Sequence, residues 1–185
     1  MQKMLGFVGS PRKGGNTDRL VRAVLAGAEA RGATTRLIYL SDLNIRECDG
    51  CHACWRGGPC AKKDDLLPIY AEIAASDQLV FGTPVYWYGP TALMKLMIDR
   101  WVYFNCPANR PQVRGKKAAV VIPFEEETPA TAALTVDFFA RTFAYLEMRF
   151  LDQLLVPGVA KRGEVAERSA VMGAAQDLGS RLTAI

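Results

Sequence analysis

Five short apolar runs, each leading into a stretch of helical period, constrain this chain more than any other feature of its sequence. Residues 4–8 (MLGFV) form the first run and stop at Gly9-Ser10-Pro11, the pattern of a buried strand ending in a turn. From Asn16 the period becomes helical. Leu20, Val21, Val24, Leu25 and Ala28 share one face, Asp18, Arg19, Arg22 and Glu29 lie elsewhere, and Gly32 is placed to end the helix. Residues 35–40 (TRLIYL), 78–82 (QLVFG), 117–123 (KAAVVIP) and 149–156 read as the remaining strands. Helices are expected over 65–76, where Pro68 is tolerable only in the first turn, and over 90–103, 128–146 and a C-terminal stretch striped by Val171, Ala175, Leu178 and Leu182. Strands this apolar must be covered on both faces. The expected fold is therefore α/β: a three-layer α/β/α sandwich around a five-stranded, doubly wound parallel sheet.

Composition narrows the classes further. The 185 residues are 50% hydrophobic, enough for one domain over 1–185 with a real core and too apolar for a disordered chain. A single His excludes sites built from several histidines within one subunit. No apolar run approaches the ~18–20 residues that span a bilayer, and the apolar start is too short for a secretory signal. The net charge of +4 is scattered, and pairs such as Lys62-Lys63 and Lys116-Lys117 read as solvated loop ends. The expectation is a cytoplasmic protein with no nucleic-acid or membrane partner, its thiols kept reduced.

The loop after the first strand, Gly9-Ser10-Pro11-Arg12-Lys13-Gly14-Gly15-Asn16-Thr17, combines glycines, hydroxyls and two cations, and leads into a helix N-terminus. Orphan N–H groups and the helix dipole favour an anion there. A plain glycine-rich turn capped by Asn16 or Thr17 is the simpler alternative. The loop is not a Walker A motif, because Asn16 stands where Lys is required, and no G-x-G-x-x-G fingerprint is present. A phosphate monoester fits best.

After the third strand comes Thr83-Pro84-Val85-Tyr86-Trp87-Tyr88-Gly89-Pro90. Three adjacent aromatics cannot all enter one core, so some must meet a ligand or another subunit. Together, GSPRKGGNT and TPVYWYGPTALMKLMIDRW resemble the NAD(P)H-dependent FMN reductase branch of the flavodoxin-like fold. That resemblance implies that Ser10, Arg12, Asn16 and Thr17 hold the FMN phosphate, and that Pro84, Val85, Tyr86, Trp87 and Gly89 pack along the flavin. It gives Lys95, Asp99 and Arg100 structural roles on the following helix, and it extends through residues 163–179. One departure is Pro123-Phe124-Glu125-Glu126-Glu127, where the family commonly has a glycine-containing loop near the flavin. The acidic run reads as a solvated entry to a helix.

Cys48, Cys51, Cys54 and Cys60 are spaced C-x2-C-x2-C-x5-C in a cysteine-rich loop at about 46–64. Two-residue gaps suit an iron–sulfur cluster capped by one tight loop, whereas four-cysteine zinc sites more often separate two C-x2-C pairs. Gly50, Gly57 and Gly58 give the loop freedom to wrap. Inserted here, the spacing resembles the iron–sulfur flavoproteins. That implies the four cysteines as ligands of a [4Fe–4S] cluster, and a homodimer or homotetramer in which one subunit's cluster approaches another's FMN. Zinc, a disulfide and free thiols remain the alternatives for this loop. His52 reads as a solvated loop residue and Cys106 as a buried thiol outside the pattern.

The expected function is FMN-dependent oxidoreduction coupled to the cluster, with NAD(P)H as co-substrate or ferredoxin as redox partner. No side chain stands out as a general acid or base. The alternatives are a cluster-free FMN, quinone or nitroaromatic reductase, and a non-catalytic electron carrier or redox sensor.

Overall fold

The computed structural model describes residues 1–56 and 58–184, so Gly57 lies outside the described residues. Five strands, β1 (Lys3–Val8), β2 (Thr34–Tyr39), β3 (Gln78–Gly82), β4 (Lys117–Pro123) and β5 (Arg149–Val156), form one parallel sheet in the order β2-β1-β3-β4-β5. This is the flavodoxin-like order, whose direction reverses between β1 and β3. The central strands β3 and β4 are buried along their whole length, as their unbroken apolar runs require.

Among the described residues six α-helices cover the two faces: α1 (Asn16–Glu29), α2 (Leu66–Ala74), α3 (Ala92–Asp99), α4 (Val102–Asn105), α5 (Ala133–Tyr145) and α6 (Ser169–Thr183). On one face Leu20, Val21, Val24, Leu25 and Ala28 of α1 pack with Ala175, Leu178 and Leu182 of α6 over Met4, Val8, Val80 and Val121. On the other, Ile69 and Tyr70 of α2, Met94 and Met97 of α3, and Phe139 and Phe143 of α5 surround Phe7 and Phe81.

Element boundaries depart from the periodicity most at two helices. The helix expected over 90–103 starts only after Thr91, whose hydroxyl accepts the Met94 N–H, and it breaks at Arg100 into α3 and α4. The stretch over 128–146 opens with a 3-10 turn, Pro129–Ala132, before α5 begins. In both cases periodicity marks the buried face, while caps decide where the hydrogen-bond ladder begins.

Helices α1 and α6 touch backbone to backbone through glycine. A Cβ added at Gly27 would lie 1.9 Å from the Gln176 carbonyl oxygen, and one at Gly179 would lie 1.8 Å from that of Val24. Backbone cannot move aside as a side chain does, so overpacking here must push the helices apart. Gly27→Ala and Gly179→Ala should each lower unfolding free energy by about 1–3 kcal/mol in denaturant titrations. Gly173→Ala, on the same helix with nothing within 4 Å, should be neutral or stabilising.

Candidate functional site

Strand β1 ends where its last ladder bond, from the Gly9 N–H to the Gly82 carbonyl, joins it to β3 at 2.8 Å. Beyond that point α1 leaves towards one face of the sheet and α3 towards the other, and a cleft opens between them. It has about 620 Å³ of empty space, part of it open to solvent. Its walls come from the carboxyl ends of four strands, where open parallel sheets bind their ligands.

Ser10, Arg12, Gly15, Asn16 and Thr17 form one end of the cleft. The loop is shaped from behind. Gly14 adopts φ +72°, and its N–H donates to the buried Asp18 carboxylate at 2.6 Å. The Arg12 N–H donates to Ser10 Oγ, and the Gly15 N–H to the Arg12 carbonyl. Gly15 begins α1 with no side-chain cap, which leaves first-turn N–H groups available to an anion. The sequence alternative of Asn16 or Thr17 as the cap is not what forms. The Asn16 amide instead donates to the Lys161 carbonyl and accepts from the Val165 N–H, so its backbone is what it offers a ligand. Lys13 turns away to Asp42, a 2.7 Å pair. Arg12 is exposed at the wall and forms no salt bridge among the described residues.

Pro84, Val85 and Tyr86 line the cleft on the β3 side. Tyr86 and Gly89 exchange both backbone hydrogen bonds around a two-residue turn, with Trp87 at φ +51° and Tyr88 at φ +62°. Such a turn normally takes Asn-Gly, so two bulky aromatics here are held by their surroundings. The Thr135 hydroxyl donates to the Tyr88 carbonyl at 3.2 Å. Trp87 and Gly89 lie outside the cleft walls, and Trp87 is 97% exposed at the turn tip. At the base of the loop the Thr91 N–H donates to Thr83 Oγ, and the Thr91 hydroxyl donates to the Gly9 carbonyl at 2.6 Å, tying the two loops together.

Sequence reasoning missed part of the wall. Pro123, Phe124 and Glu125 after β4, and Val159, Ala160 and Arg162 after β5, complete the cleft. Glu125 therefore stands at the cleft as well as in a solvated loop. Arg162 was findable only by contact, since its guanidinium donates to the Lys13 carbonyl from far along the chain.

The cysteine loop forms a second pocket. Cys48, Cys51, Cys54 and Cys60 line it with Arg100 and Tyr103, around about 320 Å³ of space partly open to solvent. All five cysteines of the chain are free. Among the described residues, no three His, Cys or carboxylate side chains converge as ligands of a single ion. A cluster with iron at several corners needs its thiolates spread around a volume. Burial pushes the Cys54 thiol up, and negative charge on the neighbouring Cys60 sulfur would push it further. Gly50 (φ +67°) and His52 (φ +55°) bend the loop, Lys62 pairs with Asp49, and the buried Cys106 thiol donates to the Cys54 carbonyl.

Arg100 and Asp64, each with its side chain 1% exposed, pair at 2.5 Å beneath this loop. Asp64 also accepts from the Arg46 and Leu66 N–H groups. Burial alone would raise the Asp64 carboxyl; the Arg100 guanidinium and the two N–H groups more than offset that and hold it below its ordinary 3.8. Lys95 and Asp99 make an exposed pair on α3.

The family model for NADPH-dependent FMN reductases matches residues 2–147. The chain is 32% identical over 122 residues to an iron–sulfur flavoprotein of Archaeoglobus fulgidus, covering 66% of this chain and 54% of that protein. It spans about half the length of the first relatives it matches. It is 31% identical over 182 residues to YwqN of Bacillus subtilis, provisionally named an NAD(P)H-dependent FMN-containing oxidoreductase, covering 96% of each. The solved structure of Trp repressor binding protein from Bacillus subtilis superposes with a TM-score of 0.70 at 26% identity, covering 96% of this chain and 98% of that one.

The buried pair gives a signed expectation. Because the folded pKa of Asp64 is depressed, its contribution to stability is full above the unfolded value near 3.8 and is lost as pH falls through the lower folded value. Asp64→Ala should cost about 3–5 kcal/mol at neutral pH, because it strands the buried guanidinium. It should also flatten the acid limb of stability against pH in a denaturant series from pH 2 to 7.

Proposed function

This chain belongs to the NADPH-dependent FMN reductase family, and from that premise we propose that it is an FMN-dependent oxidoreductase whose cysteine loop carries a [4Fe–4S] cluster. The observation that carries the reading is the cleft itself: an uncapped helix N-terminus with polar side chains at one end, apolar and aromatic walls at the other. Ser10, Arg12, Thr17 and the N–H groups of Asn16 and Thr17 are the donors for the FMN phosphate. Pro84, Val85, Tyr86 and Phe124 flank the isoalloxazine and keep water from it. Trp87 and Gly89 shape the turn at the mouth, where Trp87 meets substrate or a second copy of the chain.

Cys48, Cys51, Cys54 and Cys60 are the ligands of the cluster in this reading. It is supported by their shared pocket, by the buried guanidinium beside them and by the names of the iron–sulfur relatives. When bound, the flavin supplies hydride and single-electron chemistry, and the cluster supplies one-electron exchange. The chain's own part is to bind, orient and exclude water; no residue is assigned as general acid or base. NAD(P)H is the proposed co-substrate, and a ferredoxin-type protein the proposed single-electron partner. A reducing cytoplasm is the proposed compartment, a reading that the free thiols support, and no helix among the described residues is long and apolar enough to cross a membrane. A homodimer or homotetramer would cover the exposed Trp87-Tyr88 turn.

A cluster-free NAD(P)H-dependent FMN, quinone or nitroaromatic reductase is the second reading, favoured by the end-to-end match to YwqN. Protein purified anaerobically should hold one FMN and a full [4Fe–4S] complement of iron and acid-labile sulfide per chain. FMN without iron or sulfide, even after reconstitution, selects the second reading. Quinone reduction unchanged by Cys51→Ala and Cys54→Ala would select it as well.

The phosphate end has its own test. Arg12→Ala and Thr17→Val should each weaken FMN binding about tenfold, or ~1.4 kcal/mol, in a flavin fluorescence titration. Trp87→Ala should change the affinity by less than about twofold, since its side chain stands outside the cleft walls.

A further inference from the structure

Arg100 is the largest fully buried side chain among the described residues, and a salt bridge alone does not account for its position. One terminal nitrogen donates to Asp64 Oδ2 at 2.5 Å and to the Arg46 carbonyl at 2.6 Å. The other donates to Cys60 Sγ at 3.2 Å and approaches Asp64 Oδ1 at 3.4 Å. The fifth donor, Nε–H, is buried without a partner. The residue stands in the wall of the pocket that the four cysteines share. A guanidinium whose only task was to clamp the loop could be satisfied by Asp64 and the Arg46 carbonyl. This one also points a charged donor at a sulfur and keeps another in reserve, an arrangement suited to sulfur that carries negative charge.

Asp64 does not cancel that effect at the sulfur. Its oxygens face the guanidinium and the N–H groups of Arg46 and Leu66, so the positive end of the pair is the end that meets Cys60. The placement also relates the two sites. The loop that walls the cleft feeds α3 at Thr91, and Arg100 ends the same helix, about 12 Å of helix further on.

On the reading that the cysteine loop holds an iron–sulfur cluster, we propose that Arg100 is a positioning residue that sets the cluster's reduction potential, raising it through its charge and its hydrogen bond to the Cys60 sulfur. Reduction adds one negative charge to the centre, and a fixed cation with a donor to a ligand sulfur stabilises that state more than the oxidised one.

The experiment is an anaerobic, EPR-monitored redox titration of the reconstituted holoprotein, with iron, sulfide and FMN counted in every sample. Arg100→Gln keeps a hydrogen-bonding group and removes the charge. The expected result is FMN and iron retained, with the one-electron equilibrium shifted about tenfold against reduction, ~59 mV for one electron. Arg100→Lys, which keeps the charge without the planar fork, should fall between the two. An unchanged potential in a fully loaded Arg100→Gln protein overturns the proposal and leaves Arg100 a loop anchor. If Arg100→Gln does not load, Arg100→Lys decides. A lowered potential in loaded Lys variant supports the proposal; a wild-type potential, or failure to load iron despite bound FMN, overturns it. Wild-type protein with FMN but no iron is a different failure, because it removes the cluster reading itself and the proposal with it.

Discussion

The hydrogen bond from the Gly9 N–H to the Gly82 carbonyl is the last that the sheet can make between β1 and β3, and the functional architecture follows from what happens past it. With α1 and α3 departing to opposite faces, the two chains can no longer satisfy one another's polar groups, and each must find other partners. Thr91 takes up the Gly9 carbonyl, Asp18 the Gly14 N–H, and Asn16 the distant loop after β5. The close approach depends on small residues: a Cβ at Gly82 would sit 2.4 Å from Val21 and 2.8 Å from Thr17. Without that approach α1 could not bring its N-terminus to the cleft. The first-turn N–H groups of α1, without a side-chain cap, are left open to an anion.

A second constraint operates at the far end of α3. Burying a guanidinium is costly unless its charge and donors are met, and here one carboxylate, one carbonyl and one thiol meet them incompletely. The same contacts fix residues 46, 60 and 64 relative to the helix, so the cysteine loop is anchored at both ends although it contains little regular structure of its own. At the near end, the Trp87-Tyr88 turn stores strain of about 1–2 kcal/mol per residue, held by the Tyr86–Gly89 pair and Thr135. Helix α3 thus joins a strained aromatic turn at the mouth of one site to a buried cation in the wall of the other.

Much of this was legible in the residues. The five strands, the buried faces of α1 and α6, and the two loops that line the cleft follow from period and turn chemistry, because those signals are local. The break at Arg100 was not legible, because a helical stripe of Leu93, Leu96, Met97 and Trp101 continues through it and the partner that holds Arg100 lies 36 residues upstream. The side-chain partners of Asn16 were not legible for the same reason. An amide at a helix start looks like a cap or a ligand donor until a loop some 145 residues away takes both of its groups. Arg162 carries no motif at all, and Phe124 sits in a run read as solvated; both enter the cleft because β4 and β5 end beside it.

The sequence by itself determined the layers, the strand direction, the phosphate-type loop and the cysteine spacing, since each depends on residues within a few positions of one another. Tertiary structure decided which of those residues share a wall. It turned Lys13 outward and left Arg12 at the cleft, exposed Trp87 while admitting Tyr86, and brought Arg100 beneath the cysteines. The physical reason is that periodicity reports which side of an element is buried, whereas the partner of a buried polar group is chosen by the packing of elements far apart in the chain.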